Sequence, residues 1–332
     1  MAAPTEIVQL AEGTRVERWT IVKKLGEGGF GAVYRVTDGS GDFALKVEGV
    51  GEAIQVLKME VFVLSELAKR GGRHFCKIED RGRFGAFNYV VMNLVGKSLY
   101  DLRKAQPSSH FSLGTALGCG IQCLEALEDL HGIGYLHRDV KPGNYTVGRA
   151  DVNELRKMSE GRQILQLSIT LVQVYILDFG MCRKFTDDRG VIRKPRQAAG
   201  FRGTIRYASI SCHLQRELSR KDDVEVYMLA ELVHASIPWR KTQDINEVYH
   251  AKRKVREETG MRELFAGCPP EFSDILKHVD SLKFYGTPDY AMIYALMRRA
   301  FETMKVEEFP QVLLVVTPLT YDWEKPAAPL SA

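Results

Sequence analysis

The feature that most constrains this chain is a pair of short segments, HRDVKPGN at residues 137–144 and DFG at residues 178–180. Together they set a carboxylate, a lysine, an amide and a second carboxylate in a fixed order along the chain, namely Asp139, Lys141, Asn144 and Asp178. Carboxylate and amide oxygens are ligands that Mg²⁺ accepts, and a lysine neutralises phosphate as a point charge. Because these residue types rarely coincide in this order, the pattern predicts phosphoryl-transfer chemistry.

The composition is that of an ordinary globular protein. The 332 residues, 45% hydrophobic and 27% charged, are enough for two lobes with separate cores. A net charge of +4 is too small to predict binding to nucleic acid or to a membrane by bulk attraction. The first residues contain neither a signal-peptide core nor a spanning segment, so we expect an intracellular protein of the cytoplasm, the nucleus or both. The six cysteines lack metal-ligand spacing and predict no metal centre.

A glycine-rich segment near the N-terminus predicts a phosphate-binding loop. Residues 19–50 alternate apolar and polar positions around a glycine cluster and a DGSGD turn, which predicts an antiparallel strand-loop-strand-turn-strand. The glycines follow the pattern G-x-G-x-x-G, whose missing side chains let backbone N–H groups approach phosphates. A dinucleotide-binding Rossmann turn shares this spacing, but its third glycine opens a helix, whereas residues 32–36 continue as a strand. The predicted loop residues are Leu25, Gly26, Glu27, Gly28, Gly29, Phe30, Gly31, Ala32 and Val33.

A lysine and a glutamate extend the predicted nucleotide site. Lys46 lies between apolar residues of a predicted strand, so we expect its amine to reach the phosphates. Residues 52–70 have helical apolar spacing that places Glu60 on the inward face, which makes Glu60 the expected partner of Lys46. A solvated helical glutamate is the alternative, because Glu52 and Glu66 on the same helix compete for the role.

The segment that follows a second pair of predicted strands is expected to join two lobes. We predict that the backbone from Asn93 to Val95 reads a purine edge, because backbone donors and acceptors suit a flat ring. Met92 would shape the back of this pocket, and a plain core role for Met92 is nearly as well supported.

Motifs along most of the chain resemble one superfamily of kinases. The casein kinase I superfamily, and most closely its tau-tubulin kinase branch, has segments similar to LGEGGFGAVY, ALKVE, QVLKMEVFVL, FNYVVM, HRDVKPGN, YILDFG, GFRGTIRYAS, RKDD, PWRK and YDWEK. The resemblance implies an α+β bilobal protein kinase fold, in which a small antiparallel sheet with one long helix precedes a mainly helical lobe. It divides the chain into an N-terminal extension at residues 1–14, an N-lobe at 15–95, a C-lobe at 96–325 and a short tail at 326–332.

The resemblance also implies roles for the residues of the HRD and DFG segments. It implies a kinase that uses ATP and Mg²⁺ to phosphorylate Ser or Thr hydroxyls, with Asp139 orienting the hydroxyl and Lys141 neutralising the γ-phosphate. Thr204 would brace both of these side chains, while Asn144 and Asp178 would hold Mg²⁺. The expected partners are protein substrates of a monomeric enzyme, without nucleic acid or membrane.

The segment after the DFG motif is strongly basic. Eight basic residues stand against three acidic ones between Asp178 and Ile210, so we expect a positive surface that favours acidic or already phosphorylated protein sites. Arg206 matches the anion-binding arginine of the superfamily. A solvated basic loop is the alternative. The basic residues are Arg183, Lys184, Arg189, Arg193, Lys194, Arg196, Arg202 and Arg206.

Three places depart from the usual kinase pattern. Ser209-Ile210-Ser211 stands where most kinases have A-P-E and where the superfamily has Ser-Ile-Asn. An insertion at residues 149–173 lengthens the chain between the HRD and DFG segments by about sixteen residues, and its apolar stretch predicts an added β-hairpin or a retained intronic sequence. The helix that follows Asp223, the expected anchor of the catalytic loop, is about two residues shorter than in the superfamily.

These features leave two hypotheses. An active Ser/Thr protein kinase is favoured, because every charged part of the phosphoryl-transfer apparatus is present in order. The alternative is a pseudokinase or scaffold, in which the insertion or the shortened helix mis-sets the catalytic geometry while nucleotide binding survives. Phosphate transfer to an acidic or phosphorylated peptide distinguishes the two.

Overall fold

A computed structural model describes residues 7–29, 31–52, 55–149, 173–234 and 237–306 of the protein. The predictions for Phe30, for most of the insertion and for the last 26 residues, 307–332, lie outside these ranges. The chain divides into two units. The first unit comprises Met1–Val95, Ala126–Arg138 and Tyr175–Arg193, and the second comprises Gly96–Glu125, Asp139–Val174 and Lys194–Ala332.

An antiparallel sheet belongs to the first unit. Its strand order is β1-β2-β3-β4-β6-β5, and helix α1 lies between β4 and β5 in the chain. This architecture confirms the predicted small antiparallel sheet with one long helix. The elements are β1 (Arg15–Val16), β2 (Trp19–Gly28), β3 (Gly31–Thr37), β4 (Asp42–Gly49), α1 (Val56–Lys69), β5 (Ile78–Phe84) and β6 (Phe87–Asn93).

The sheet forms because its strands alternate between a buried face and a partly exposed face. In β3 every second residue, Ala32, Tyr34 and Val36, is fully buried, which is the two-residue period of a strand with one face in a core. Trp19 of β2 is also fully buried, and its indole N–H donates to Oδ2 of Asp80 at 2.7 Å. The polar atom of this large core residue is therefore satisfied.

The remaining elements follow the sheet, and those of the second unit are mainly helical, as predicted. Thr303 of the last helix donates to Oε1 of Glu271 in the helix before it at 2.6 Å, which ties the two C-terminal helices together. The elements are α2 (Leu99–Lys104), α3 (Leu113–Gly132), β7 (Tyr135–Leu136), β8 (Tyr145–Val147), β9 (Val174–Ile176), β10 (Arg183–Lys184), α4 (Ile210–His213), α5 (Arg220–Asp223), α6 (Tyr227–His234), α7 (Ile245–Lys254), α8 (Glu258–Leu264), α9 (Glu271–Ser281) and α10 (Tyr290–Thr303).

Two stretches from beyond residue 95 belong to the first unit, whereas the lobes predicted from sequence were continuous in the chain. The end of α3 is held there because the guanidinium of Arg70 donates to the carbonyl of Gly132 at 2.7 Å. Strand β7 pairs with β10, with Arg183 opposite Leu136. The backbone N–H of Ile176 donates to the carbonyl of His74 at 2.9 Å. Backbone pairing between distant segments thus sets the extent of this unit.

The segment around Asp223, predicted to be shortened, contains two short helices with a break between them. Helix α5 ends at Asp223 and α6 begins at Tyr227. The intervening Val224 and Val226 are buried, so the break lies inside the second unit and not at its surface. None of the helices in the described ranges is both long enough and apolar enough to cross a bilayer.

Candidate active site

The residues predicted to act on a nucleotide or a substrate divide between the two units. The first unit contains the glycine-rich loop, Lys46, Glu60, Met92, Asn93, Val95 and Asp178. The second unit contains Asp139, Lys141, Asn144, Thr204 and Arg206.

An ion pair joins β4 to α1 in the first unit. Nζ of Lys46 lies 2.5 Å from Oε2 of Glu60 and 3.5 Å from Oδ1 of Asp178. The competing Glu66 pairs instead with Lys69. Burial opposes the charge of Lys46, but the carboxylates of Glu60 and Asp178 outweigh it and raise the pKa of Lys46 to about 12. Lys46 is therefore a permanent cation at physiological pH.

Asp178 has an unusual backbone conformation. Its φ of 66° and ψ of 73° lie in the left-handed region, which is uncommon for a residue other than glycine and clusters at functional sites. The next residue, Phe179, is buried, and its ring lies 6.1 Å from that of Phe75 and 5.7 Å from that of His137. The buried ring anchors the turn, while the side chain of Asp178 is 49% exposed and can reach a solute.

The glycine-rich loop is a hairpin in which the glycines serve different purposes. Strands β2 and β3 pair through Gly26 with Val33 and Gly28 with Gly31. A Cβ added to Gly26, Gly28 or Gly29 would meet no atom within 4 Å. A Cβ added to Gly31 would lie 1.9 Å from the carbonyl oxygen of Val47, so this glycine is required by the approach of β3 to β4. There is thus open space for a ligand beside Gly26, Gly28 and Gly29. At Gly31, the packing of β3 against β4 explains why the residue is a glycine.

The segment predicted to read a purine edge ends the sheet. Met92 is buried in β6, where it lies opposite Ala44 of β4. The backbone N–H of Asn93 donates to the carbonyl of Lys77 at 3.2 Å, and the Asn93 side chain accepts from the Lys77 N–H at 2.7 Å. The N–H of Asn93 is therefore already hydrogen-bonded within the first unit. Val95 is the last residue of the first stretch of this unit.

Four predicted catalytic residues form one hydrogen-bonded cluster in the second unit. The hydroxyl of Thr204 donates to Oδ1 of Asp139 at 2.8 Å. The ammonium of Lys141 donates to Oδ2 of Asp139 at 2.6 Å and to the Thr204 hydroxyl at 3.0 Å. The Asn144 amide donates to the carbonyl oxygen of Asp139 at 2.9 Å. Asp139, only 6% exposed, is thus a positioned carboxylate with a cation beside it.

The donor atoms fit magnesium and a nucleotide polyphosphate. Because the amide nitrogen of Asn144 makes the bonds to Asp139, its amide oxygen is left as a possible ligand, and Asp178 offers a carboxylate. The described residues contain no group of three or more His, Cys, Asp or Glu side chains that would cage an ion alone. Mg²⁺ is commonly held by one or two protein oxygens together with substrate phosphates, so the oxygen that each of these residues offers within its own unit is of a kind that this ion uses.

Arg206 is engaged within the second unit. Its guanidinium lies 3.5 Å from Oε1 of Glu231 and donates to the carbonyl of Arg240 at 2.9 Å. Glu231 is fully buried and also lies 3.6 Å from the guanidinium of Arg103. A substrate anion at Arg206 would therefore compete with an internal carboxylate.

The sequence predictions did not include several buried charged residues, of which two bear on the candidate site. Glu48, 1% exposed, lies two residues after Lys46 in β4, and the two-residue period of a strand could have placed both on one face. Lys252 of α7 is fully buried, but it stands among exposed lysines and arginines in HAKRKVREE, where no sequence signal distinguishes it.

Comparison with known proteins gives consistent similarities. A model of the protein kinase domain matches residues 19–282. A provisionally named serine/threonine-protein kinase of Dictyostelium discoideum is 35% identical over 322 residues, which are 96% of this chain and 59% of that relative. The serine/threonine-protein kinase spe-6 of Caenorhabditis elegans is 35% identical over 291 residues, 85% of this chain and 72% of the relative. A Caenorhabditis elegans protein with the provisional name casein kinase I is 31% identical over 314 residues, 93% of this chain and 84% of the relative.

Proposed function

The chain belongs to the protein kinase family, and from this premise we propose that it transfers the γ-phosphoryl group of ATP to serine or threonine hydroxyls of protein substrates. The observation that carries the proposal is the cluster in which Thr204, Lys141 and Asn144 all bond Asp139. The Dictyostelium relative and spe-6 are both named serine/threonine-protein kinases, which supports the choice of hydroxyl.

The second unit supplies the groups for the substrate hydroxyl. Asp139 accepts the proton of the attacking hydroxyl and orients it, because Thr204 and Lys141 fix its two carboxylate oxygens. Lys141, held between Asp139 and Thr204, carries the positive charge that neutralises the transferred phosphate. Pre-formed hydrogen bonds mean that little reorganisation is needed during the reaction.

The first unit supplies the groups for the nucleotide. Lys46 remains protonated beside Glu60 and binds the α- and β-phosphates. The open backbone at Gly26 and Gly28 lets N–H groups approach the phosphates. When bound, Mg²⁺ supplies charge neutralisation at the phosphate oxygens, with Asn144 and Asp178 as its protein ligands.

Acidic or already phosphorylated protein sites are the proposed substrates. Support comes from the basic segment after Asp178, in which Arg189, Lys194 and Arg202 are exposed. Three other basic residues of this segment are paired within the chain: Lys184 with Asp188, Arg196 with Glu217, and Arg206 with Glu231. The preference therefore depends mainly on the exposed residues and less on Arg206 than the sequence suggested.

The finer classification is also a proposal. Membership of the casein kinase I superfamily is supported by the motif resemblance and by the 31% identity to a relative of that provisional name. The tau-tubulin kinase branch rests on the motifs alone. We also propose a monomeric protein of the cytoplasm, the nucleus or both, and gel filtration and imaging of the tagged chain test these two points.

Peptide phosphorylation tests the proposed activity. The purified full chain with Mg-ATP is applied to an array in which acidic, phosphorylated and neutral sites flank Ser or Thr, beside Asp139→Asn and Asp178→Ala. Transfer that both substitutions abolish supports the kinase. Tight nucleotide binding without transfer supports the scaffold alternative, which the helix break at residues 224–226 favours. Equal labelling of neutral sites contradicts the acidic preference.

A further inference from the structure

A second buried carboxylate on β4 binds the beginning of α1. Oε1 of Glu48 accepts from the backbone N–H of Val56 at 2.7 Å and from that of Leu57 at 3.1 Å. These are the first two residues of α1, and Glu48 is 1% exposed. A carboxylate in strand β4 thus caps the N-terminus of a helix that begins eight residues later in the chain.

Helix α1 lacks the usual local devices at its N-terminus. The first N–H groups of a helix have no partner inside the helix, and a side chain at the N-cap or an acid in the first turn normally satisfies them. Here the N-cap residue Gln55 makes no side-chain cap hydrogen bond, and the first turn contains no acidic residue. Glu48 supplies from β4 both the acceptor and the negative charge that favour a helix N-terminus.

The cap and the Lys46–Glu60 pair attach α1 to β4 at two points one helical turn apart. Val56 and Glu60 are four residues apart and lie on the buried face of α1. Lys46 and Glu48 are two residues apart in β4 and therefore point to the same face of the strand. Two attachments fix the rotation and the axial position of the helix, which one ion pair between flexible side chains does not.

The capped turn also packs against the DFG segment. A Cβ on Gly180 would lie 3.1 Å from Cβ of Val56, so the first turn of α1 and the residue two positions after Asp178 are in close contact. A shift of the helix start would therefore disturb Glu60 and the Asp178 turn together.

We propose that Glu48 is a positioning residue for phosphoryl transfer, which fixes the first turn of α1 so that Glu60 holds Lys46 and Val56 supports the turn that carries Asp178. This inference rests on the proposed kinase function. The two hydrogen bonds of Glu48 run to backbone N–H groups of α1, and Glu48 acts through them. Burial raises the pKa of Glu48, and the two N–H bonds oppose this rise.

The test compares substitutions at Glu48 in the full chain. Glu48→Ala removes the cap, and we expect kcat/KM for ATP to fall about 10- to 100-fold, because small misplacements of catalytic groups have effects of this size. The KM for the peptide should stay unchanged. Glu48→Gln keeps an oxygen acceptor and should stay within about fivefold of wild type. Glu66→Ala, on the same helix and paired at the surface, is the matched control and should have no effect.

A double-mutant cycle separates positioning from general destabilisation. If Glu48 acts through Glu60 and the Asp178 turn together, then Glu48→Ala should lower kcat/KM by a clearly smaller factor in a Glu60→Ala background than in wild type. Multiplicative losses in the double variant, or wild-type activity in Glu48→Ala, overturn the inference while the kinase function stands. If the wild type transfers no phosphate, the proposed function fails, and the role of Glu48 in phosphoryl transfer fails with it. Amide hydrogen exchange then decides only whether Glu48 fixes the first turn of α1. Faster exchange in the first turn of α1 in Glu48→Ala supports it, and unchanged exchange overturns it.

Discussion

The two units of this protein use buried charge differently. In the first unit each buried carboxylate touches the group that it positions, since Glu60 lies 2.5 Å from Lys46 and Glu48 binds the start of α1. In the second unit the buried cation Lys252 reaches the Asp139 cluster only through the backbone of a loop. We infer that the loss of Glu60 or Glu48 appears mainly in activity, and that the loss of Lys252 appears first in stability.

The loop contacts of Lys252 show this indirect route. Its ammonium donates to the carbonyls of Ile205 at 2.8 Å and Ala208 at 2.5 Å. It lies 5.0 Å from the centre of the Tyr227 ring, where a cation–π interaction adds to the hydrogen bonds. The N–H of Ala208 in turn donates to the carbonyl of Thr204 at 2.9 Å. Lys252 thus binds the turn that begins at Thr204, the residue whose hydroxyl donates to Asp139.

The largest effect is expected from a change inside the Asp139 cluster. Asp139→Asn keeps an oxygen that accepts from Thr204 but removes the base, so kcat should fall by about 10³-fold, within the range for general base catalysis. The melting temperature should change little. Peptide phosphorylation and thermal unfolding measure the two quantities, with the exposed Asp274→Asn as a control. A large loss of stability in Asp139→Asn would break the distinction between direct and indirect groups.

The next largest effect is expected on stability, when Lys252 is replaced. Burial lowers the pKa of Lys252 to about 7. Lys252→Met removes this buried amine and leaves two buried carbonyls without their donor, so we expect about 3 kcal/mol of destabilisation. Glu60→Gln in the first unit should instead lower the free energy of unfolding by about 1 kcal/mol or less while reducing kcat/KM at least tenfold. Urea unfolding and kinetics of both variants measure the contrast, and Lys254→Met, an exposed neighbour on α7, is the control. Equal stability losses would contradict the comparison.

A third difference is expected between two glycines of the first unit, one of which affects stability and the other ATP binding. Gly31→Ala should destabilise the protein by about 2 kcal/mol, because the added methyl would meet the Val47 carbonyl and overpack the sheet. Gly28→Ala meets open space, so its stability should be unchanged while KM for ATP rises. Thermal unfolding and ATP titrations measure the pair. A stable Gly31→Ala protein with impaired ATP binding would show that the third glycine serves the ligand.

The sequence predicted the parts of this protein that depend on short-range pattern. The alternation around the glycine cluster gave β2, β3 and β4, and the helical period gave α1 with Glu60 facing inward. The Asp139 cluster followed from a motif whose residues are neighbours in the chain, apart from Thr204.

The remaining features of the two units depend on long-range contacts, which leave no local signal in the sequence. The pairing of Arg206 with Glu231 joins segments 25 residues apart, and nothing in RGTIRYAS indicates that the arginine pairs with an internal carboxylate. In the sequence, Lys252 cannot be distinguished from its exposed neighbours, because the loop at Ile205 contacts it only in the folded protein. Glu48 had a weak signal in the strand period, but its partners are backbone groups, which a sequence does not distinguish.

The smallest effect is a difference in pH dependence. Burial and the nearby charge of Lys252, 3.2 Å from Nε2 of His213, lower the pKa of His213 from 6.5 to about 4. The unfolded chain therefore takes up a proton near pH 6.5 while the folded protein does not, so the stability that neutral His213 contributes is complete above pH 6.5 and is lost as the pH falls towards 4.

His213→Gln should remove this dependence. We expect the unfolding free energy of wild type to fall by about 1 kcal/mol more than that of the variant between pH 7 and pH 5, because each pKa unit corresponds to about 1.4 kcal/mol and solvent screens a half-buried ring. Lys46 in the first unit has a pKa of about 12, so its ion pair is not expected to titrate in this window. Urea unfolding of both proteins at several pH values measures the difference. Parallel curves would show that burial and the charge of Lys252 do not lower the pKa of His213 in the folded protein, and would weaken the contrast between the two units.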